Sequence, residues 1–246
     1  DTMNKHARIL VLFLLFLLLA APAVEGCTTI LVTKGASADG SVMVSHSDDN
    51  DLMDQRIIYV PAQKYTPGTM RSVFCTAAAM GEFQQYNSFV YPRMVTSERG
   101  PGYDMQGPKS VPLGFIPQAK ETYAYFDGNY GIMNEHQLMF GECTDGSKVS
   151  PDPEPGSRIL YSSELSRIAL ERCRTAREAI LLIGSLIEEY GLYGTGETLP
   201  VADTEEGWII EMAPSPEGKG GLWVAKKVQD GEIFVAANQF RIREVN

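Results

Sequence analysis

The chain has 246 residues, enough for one large domain or two small ones and for a sizeable core. Hydrophobic residues make up 44% and charged residues 21%, which excludes wholesale disorder and collagen-like repeats. Acidic residues outnumber basic ones 31 to 21, and no basic cluster offsets the net charge of −10, which argues against a nucleic-acid partner.

Lys5 and Arg8 precede Ile9 to Ala21, thirteen residues without a charge, and Pro22 ends the run. As a helix it spans about 20 Å, against a hydrocarbon core of about 30 Å. A basic start, a short apolar run and small residues after it are the layout of a secretory signal peptide, not of a membrane span or a buried core helix. Val24-Glu25-Gly26 fits cleavage before Cys27, with Ala21-Pro22-Ala23 as a competing site. The chain thus divides into a signal peptide at 1–26 and one domain at 27–246. Cleavage takes away two basic and two acidic residues, so the exported protein, periplasmic or secreted, keeps its charge of −10.

Thr28 to Thr33 and Ser41 to His46 are rich in β-branched residues and are joined through Asp39-Gly40, a β-hairpin signature. Ile57 to Val60 is a third strand. Pro61 to Pro117, rich in Pro, Gly, Tyr and Met, reads as long loops around one or two elements, a region suited to building a substrate pocket. Strands follow over Glu121 to Phe126 and Gln137 to Cys143, with Asn134-Glu135 as a hairpin turn. Beyond the Pro151 to Gly156 connection, Ser163 opens a helix with Leu165, Ile168 and Ala169 on one face. Thr175 to Glu178 is a capping box for a second helix that stops at Gly191. Trp208 to Met212, Gly221 to Val228 and Glu232 to Ala237 are strands, the last two forming a hairpin through Asp230-Gly231. Strands, a helical pair and strands again predict an α+β layered domain.

Cys27 is the first residue with chemical promise. If the leader is cut before it, a thiol with pKa near ~8.5 and an α-amine near ~7.7–8.0 belong to one residue, so the amine can take the thiol proton. Two other readings stand beside this one: a structural cysteine, and a lipid-attachment site that acylates the same amine. Val24 and Glu25 depart from the usual lipoprotein pattern. No Cys/His spacing resembles a metal site and no phosphate-binding glycine loop occurs, so neither metal nor cofactor is expected. The run Asp48, Asp49, Asp51 lacks the glycine and closing glutamate of a calcium loop. Cys75, Cys143 and Cys173 cannot all pair with one another.

Cys27 to Asp51 (CTTILVTKGASADGSVMVSHSDDND), followed by Arg56 to Ala62 (RIIYVPA), resembles the start of the bacterial dipeptidase A and secernin family. These are N-terminal-nucleophile (Ntn) hydrolases related to penicillin V acylases and bile-salt hydrolases. Tyr130 to Asp145 is similar to the family's N-E-x-x-L segment, and Leu199 to Met212 and Val235 to Ile242 to its later strands. The resemblance implies a four-layer αββα Ntn-hydrolase sandwich that delivers Cys27 to the sheet centre, and, since dipeptidases of this family are usually much longer, a C-terminus that is truncated or unusually compact. It makes Asp49 the aspartate that holds the α-amine and Asn238 an oxyanion donor, so the implied catalytic set is Cys27, Asp49 and Asn238. His46 stands where relatives place a substrate-orienting arginine, which implies a pH-dependent substrate-binding cation. A second oxyanion asparagine would align near Cys143-Thr144, where a backbone N–H has to serve instead. The function implied is an exported cysteine dipeptidase working through a thioester, with an acyl-amide amidase and a lipid-anchored, non-catalytic binding protein as alternatives. The partner expected is a small peptide or acyl-amide substrate, with no membrane span in the mature chain and the oligomeric state left open.

Overall fold

The computed structural model describes residues 26–49, 56–75, 94–104 and 109–244. Its elements begin with β1 (Thr28–Val32), β2 (Met43–Ser47), β3 (Ile58–Val60), β4 (Gln63–Lys64), β5 (Met70–Phe74), β6 (Pro112–Pro117) and β7 (Glu121–Thr122). Next come β8 (Tyr125–Asp127), β9 (Gly131–Asn134), β10 (Met139–Phe140) and β11 (Cys143–Asp145). Two helices follow, α1 (Ser162–Arg172) and α2 (Ala176–Tyr190), and then β12 (Gly196–Ala202), β13 (Gly207–Pro214), β14 (Gly221–Lys227) and β15 (Ile233–Ala236). The apolar run at 9–21 lies outside the described residues, among which no helix is long and apolar enough to cross a membrane.

Two antiparallel sheets face each other. The small one runs β15-β1-β2, and the large one β14-β13-β12-β10-β9-β8-β3 with β11 added to β12. β1 alternates as a half-buried strand must: Thr29 and Leu31 are buried while Ile30 points out. Leu31 packs with Met139, Ala202 and Ile209 to form the core between the sheets. On the opposite face of the large sheet, Leu199, Val201, Ile210 and Met212 meet Ile168, Ile180, Ile183 and Ile187 of the helices. Helix pair, large sheet and small sheet therefore form three successive layers among the described residues.

α2 begins as its sequence requires. Thr175 accepts from the Glu178 amide, Glu178 caps in return, and Gly191 ends the helix at φ 70°, where a Cβ would stand 2.1 Å from Ser157 O. α1 is different, for it buries Ser162, Ser163, Glu164, Ser166, Arg167 and Glu171. Glu164 takes Arg99 at 2.6 Å, Arg71 at 2.9 Å and Arg167 at 3.2 Å, while Arg71 also pairs with Glu171 at 2.7 Å. Arg167 continues to Asp127 at 2.8 Å and donates to the Asn129 carbonyl at 2.7 Å. A charged helix face is thus buried because every charge has a partner.

Several sequence expectations change: the strand predicted over Glu121 to Phe126 splits into β7 and β8, which join different sheets, and β12 forms where the residue pattern alone predicts no strand. Gly221–Lys227 and Ile233–Ala236 do not form a hairpin: β14 pairs with β13 and β15 with β1. The Asp230-Gly231 turn instead carries the chain from one sheet to the other, with Asp230 Oδ1 accepting from the Gly35 amide at 2.6 Å. The region 61–117 holds more strand than expected, since β4 pairs with β7 and β5 with β6; residues 76–93 and 105–108 of it lie outside the described set. The strand read over Gln137 to Cys143 breaks into β10 and β11 at Gly141-Glu142. A Cβ on Gly141 would sit 2.5 Å from Thr29 Oγ1, so the sheets approach closely there and only glycine fits.

Candidate active site

Strand register gathers the site at one end of the small sheet. β1 and β2 pair Thr28 with Ser47, which sets Asp48 opposite Cys27. β1 and β15 pair Thr29 with Ala236, and two residues further on the chain reaches Asn238. Since side chains alternate, Cys27, Thr29 and Leu31 share the inward face with Val44, His46 and Asp48. Cys27 is half-buried. Its sulfur, an Asp48 carboxylate oxygen and a Glu142 carboxylate oxygen all lie within 4.8 Å of one another. Asn129 Nδ2 donates to Asp48 Oδ2, and Asn129 is itself held by Arg167 through its carbonyl. The charged core beneath α1 therefore positions a carboxylate beside the cysteine.

Asp49 points its side chain to solvent and offers its backbone N–H to the Cys27 sulfur. The carboxylate next to Cys27 is that of Asp48. Asn238 adopts a left-handed backbone, φ 52°, which turns the chain back at the end of β15. Its N–H donates to Cys143 Sγ at 2.8 Å, and its Nδ2 donates to Thr144 O at 2.6 Å. Cys143 in turn donates its thiol hydrogen to the Cys27 carbonyl at 3.6 Å. One side chain thereby ties the start of β1 to the Asn238 turn. With the bond to Gly26 intact, Gly26 lies against this amide: a Cβ added to it would be 2.7 Å from Asn238 Oδ1. No disulfide joins the four cysteines.

The electrostatics of the site follow from burial among acids. Desolvation raises the Cys27 thiol; the Asp49 N–H and Glu142 lower it, and Asp48 and Glu197 push it up again. Glu142 is fully buried, and its carboxyl is driven strongly upward by desolvation, then by Glu197, Cys27 and Asp48. Glu197, also buried, accepts from Ser162 at 2.7 Å and Tyr130 at 3.1 Å. The three donors Cys27, Asp48 and Glu142 are close enough for one cation to touch them all. Desolvation and the neighbouring acids favour the protonated thiol and carboxyl over metal-ligating anions, so the trio is better read as the surroundings of a nucleophile.

His46 lies on β2 two residues before Asp48, with its ring edge-on to Tyr130 at 6.4 Å between centroids. Burial lowers its pKa, and Asp48 opposes that shift. The ring borders a cavity of about 330 Å³ lined by Ile57, Asn129, Tyr130, Met139 and Phe140 among others, a size that suits a small ligand. Sequence reasoning missed Glu142, Glu197 and Asn129. Glu142 sits in a run that reads as ordinary strand, Glu197 lies in a stretch for which the sequence predicts no element, and the parity of β2 is what sets Asp48 rather than Asp49 beside Cys27.

The model of peptidase family C69 matches residues 26–100 and 102–246. The chain belongs to peptidase family C69. Among curated proteins, a probable dipeptidase of Salmonella dublin is 22% identical over 227 residues, covering 92% of this chain and 46% of that protein. A probable dipeptidase A of Streptococcus pyogenes serotype M1 is 28% identical over 220 residues, covering 88% and 40%, and a dipeptidase of Bifidobacterium longum is 28% identical over 226 residues, covering 89% and 38%. This C69 chain thus spans less than half the length of the curated relatives it matches. Among solved structures, penicillin V acylase from Agrobacterium tumefaciens overlaps 82% of this chain and 49% of its own at 17% identity, with a TM-score of 0.42.

Proposed function

We propose that this C69 chain is an exported cysteine peptidase of the N-terminal-nucleophile kind that cleaves dipeptides once residues 1–26 are removed. The observation that carries the proposal is the convergence of Cys27, the Asp49 N–H and Asn238 at one end of the inward face of the small sheet. Cleavage before Cys27 frees its α-amine, which takes the thiol proton as the sulfur attacks the scissile carbonyl. Asn238 has two amide hydrogens, and Thr144 uses one, leaving the other for the developing oxyanion. Collapse of the tetrahedral adduct breaks the C–N bond. The leaving amine takes its proton from the α-ammonium, and water hydrolyses the remaining thioester. Removing Gly26 also clears the space beside the Asn238 amide. The four-layer αββα sandwich belongs to the same proposal, which the three layers described support.

The relatives are named as dipeptidases, which favours free dipeptides over acyl amides as substrates. The test is hydrolysis of a panel of free and N-acylated dipeptides by the processed protein and its Cys27→Ala variant. The proposal predicts turnover of the free dipeptides and its loss in Cys27→Ala. Selective turnover of the acylated set would establish an amidase, and unimpaired Cys27→Ala would remove the nucleophile.

A further inference from the structure

Glu142 is a wholly buried carboxyl with neither oxygen in a hydrogen bond of normal geometry among the described residues. It stands at the break between β10 and β11, where close contact of the sheets brings it within 4.8 Å of the Cys27 sulfur. Glu197, on neighbouring β12, is equally buried, and its Oε2 accepts from both Ser162 and Tyr130. Two buried carboxyls with no cation between them cannot both be ionised. The oxygen with two donors keeps the charge, and the one with none keeps the proton.

We infer that Glu142 is a neutral carboxylic acid whose O–H donates to the Cys27 thiolate, making Glu142 a further catalytic residue beside the nucleophile. The inference rests on the reading of Cys27 as nucleophile. No covalent bond forms or breaks in this step. The α-amine still removes the thiol proton, while the Glu142 hydrogen stays on its own oxygen and points to the sulfur. The charged and titratable groups around Glu142 are Glu197, Cys27, Asp48 and Cys143, with Tyr130, Tyr161 and Asp145 around Glu197. Asp48 and Glu197 repel a thiolate; the Glu142 O–H and the Asp49 N–H offset that repulsion.

The experiment needs no substrate, so it separates this inference from the assignment of peptidase activity. The rate of alkylation of Cys27 by iodoacetamide is followed against pH, with the modified peptide identified by mass spectrometry, in wild type, Glu142→Gln and Glu142→Leu. A hydrogen bond to a charged group is worth about one factor of ten or more. Glu142→Leu, which removes the donor, is expected to move the thiolate midpoint up by about one pH unit and to slow alkylation roughly tenfold below it. Glu142→Gln keeps an N–H donor and is expected to stay within about a factor of three of wild type. Were Glu142 ionised, both variants would remove a negative charge and alkylate faster than wild type. That result, or an unchanged profile in Glu142→Leu, overturns the inference.

Discussion

Asn238 leaves β15 with φ 52°, a conformation that asparagine tolerates better than most residues and glycine tolerates freely. Its backbone and its amide can therefore be tested apart. Asn238→Gly keeps the turn and removes the amide, whereas Asn238→Ala removes the amide and strains the turn as well. Both are expected to lower kcat by roughly 10²–10³ with a smaller change in KM, as loss of one oxyanion donor does. Near-normal kcat in Asn238→Gly would show that the residue serves only the turn. His46 gives a second test at this scale. Burial holds its pKa below the usual 6.5, with Asp48 pulling the other way, so an imidazolium would be populated only on the acid side of that value. If His46 grips a substrate carboxylate, KM must rise with pH at a midpoint under about 6.5, and His46→Arg must flatten the curve. A KM unchanged between about pH 5 and 7 in steady-state assays would retire that role.

At the scale of elements, α1 adds a buried charge network to its apolar face, whereas α2 is held by apolar packing. Burial alone would raise the Glu164 pKa, but Arg99 and Arg71 outweigh it, so the carboxyl stays well below its ordinary value in the folded chain. A depressed folded pKa adds stability above the unfolded value near 4.5, and that stability is lost as the pH falls through the acid range. Glu164→Gln leaves Arg99 without its carboxylate and takes one of two from Arg71 and Arg167, and is expected to cost about 3–5 kcal/mol by chemical denaturation at pH 7, with the difference from wild type shrinking in acid. Thr175→Ala, which breaks the capping box of α2, should cost only about 1 kcal/mol. The same contrast explains what could be read in advance. The capping box, the Gly191 stop and the β1–β2 hairpin are written in neighbouring residues, and they are where the sequence placed them. The β14–β15 hairpin was misread because Asp230-Gly231 announces a reversal without saying which strand pairs after it. The choice fell to β1, from the other end of the chain. The buried face of α1 was equally hidden, since Arg71, Arg99 and Asp127 reach it from distant segments.

In the molecule as a whole, Cys27 and Asn238 are separated by almost the full domain yet meet, because β1 is the central strand of the small sheet with β2 and β15 on its flanks. Both were legible as candidates from the family resemblance. Glu142 and Asp48 were not, because their placement depends on a break at Gly141 and on which face of β2 turns inward. The arrangement makes the bond before Cys27 decisive, for the residue ahead of it lies against the Asn238 amide and turns the α-amine into a non-basic peptide nitrogen. The most direct measurement compares dipeptide hydrolysis by two forms of the protein, one beginning at Cys27 and one still carrying Gly26. The account predicts that the form with Gly26 retains less than roughly a hundredth of the activity, since it lacks the base that general acid–base catalysis requires. Equal rates in the two forms would contradict it and place the base elsewhere in the site.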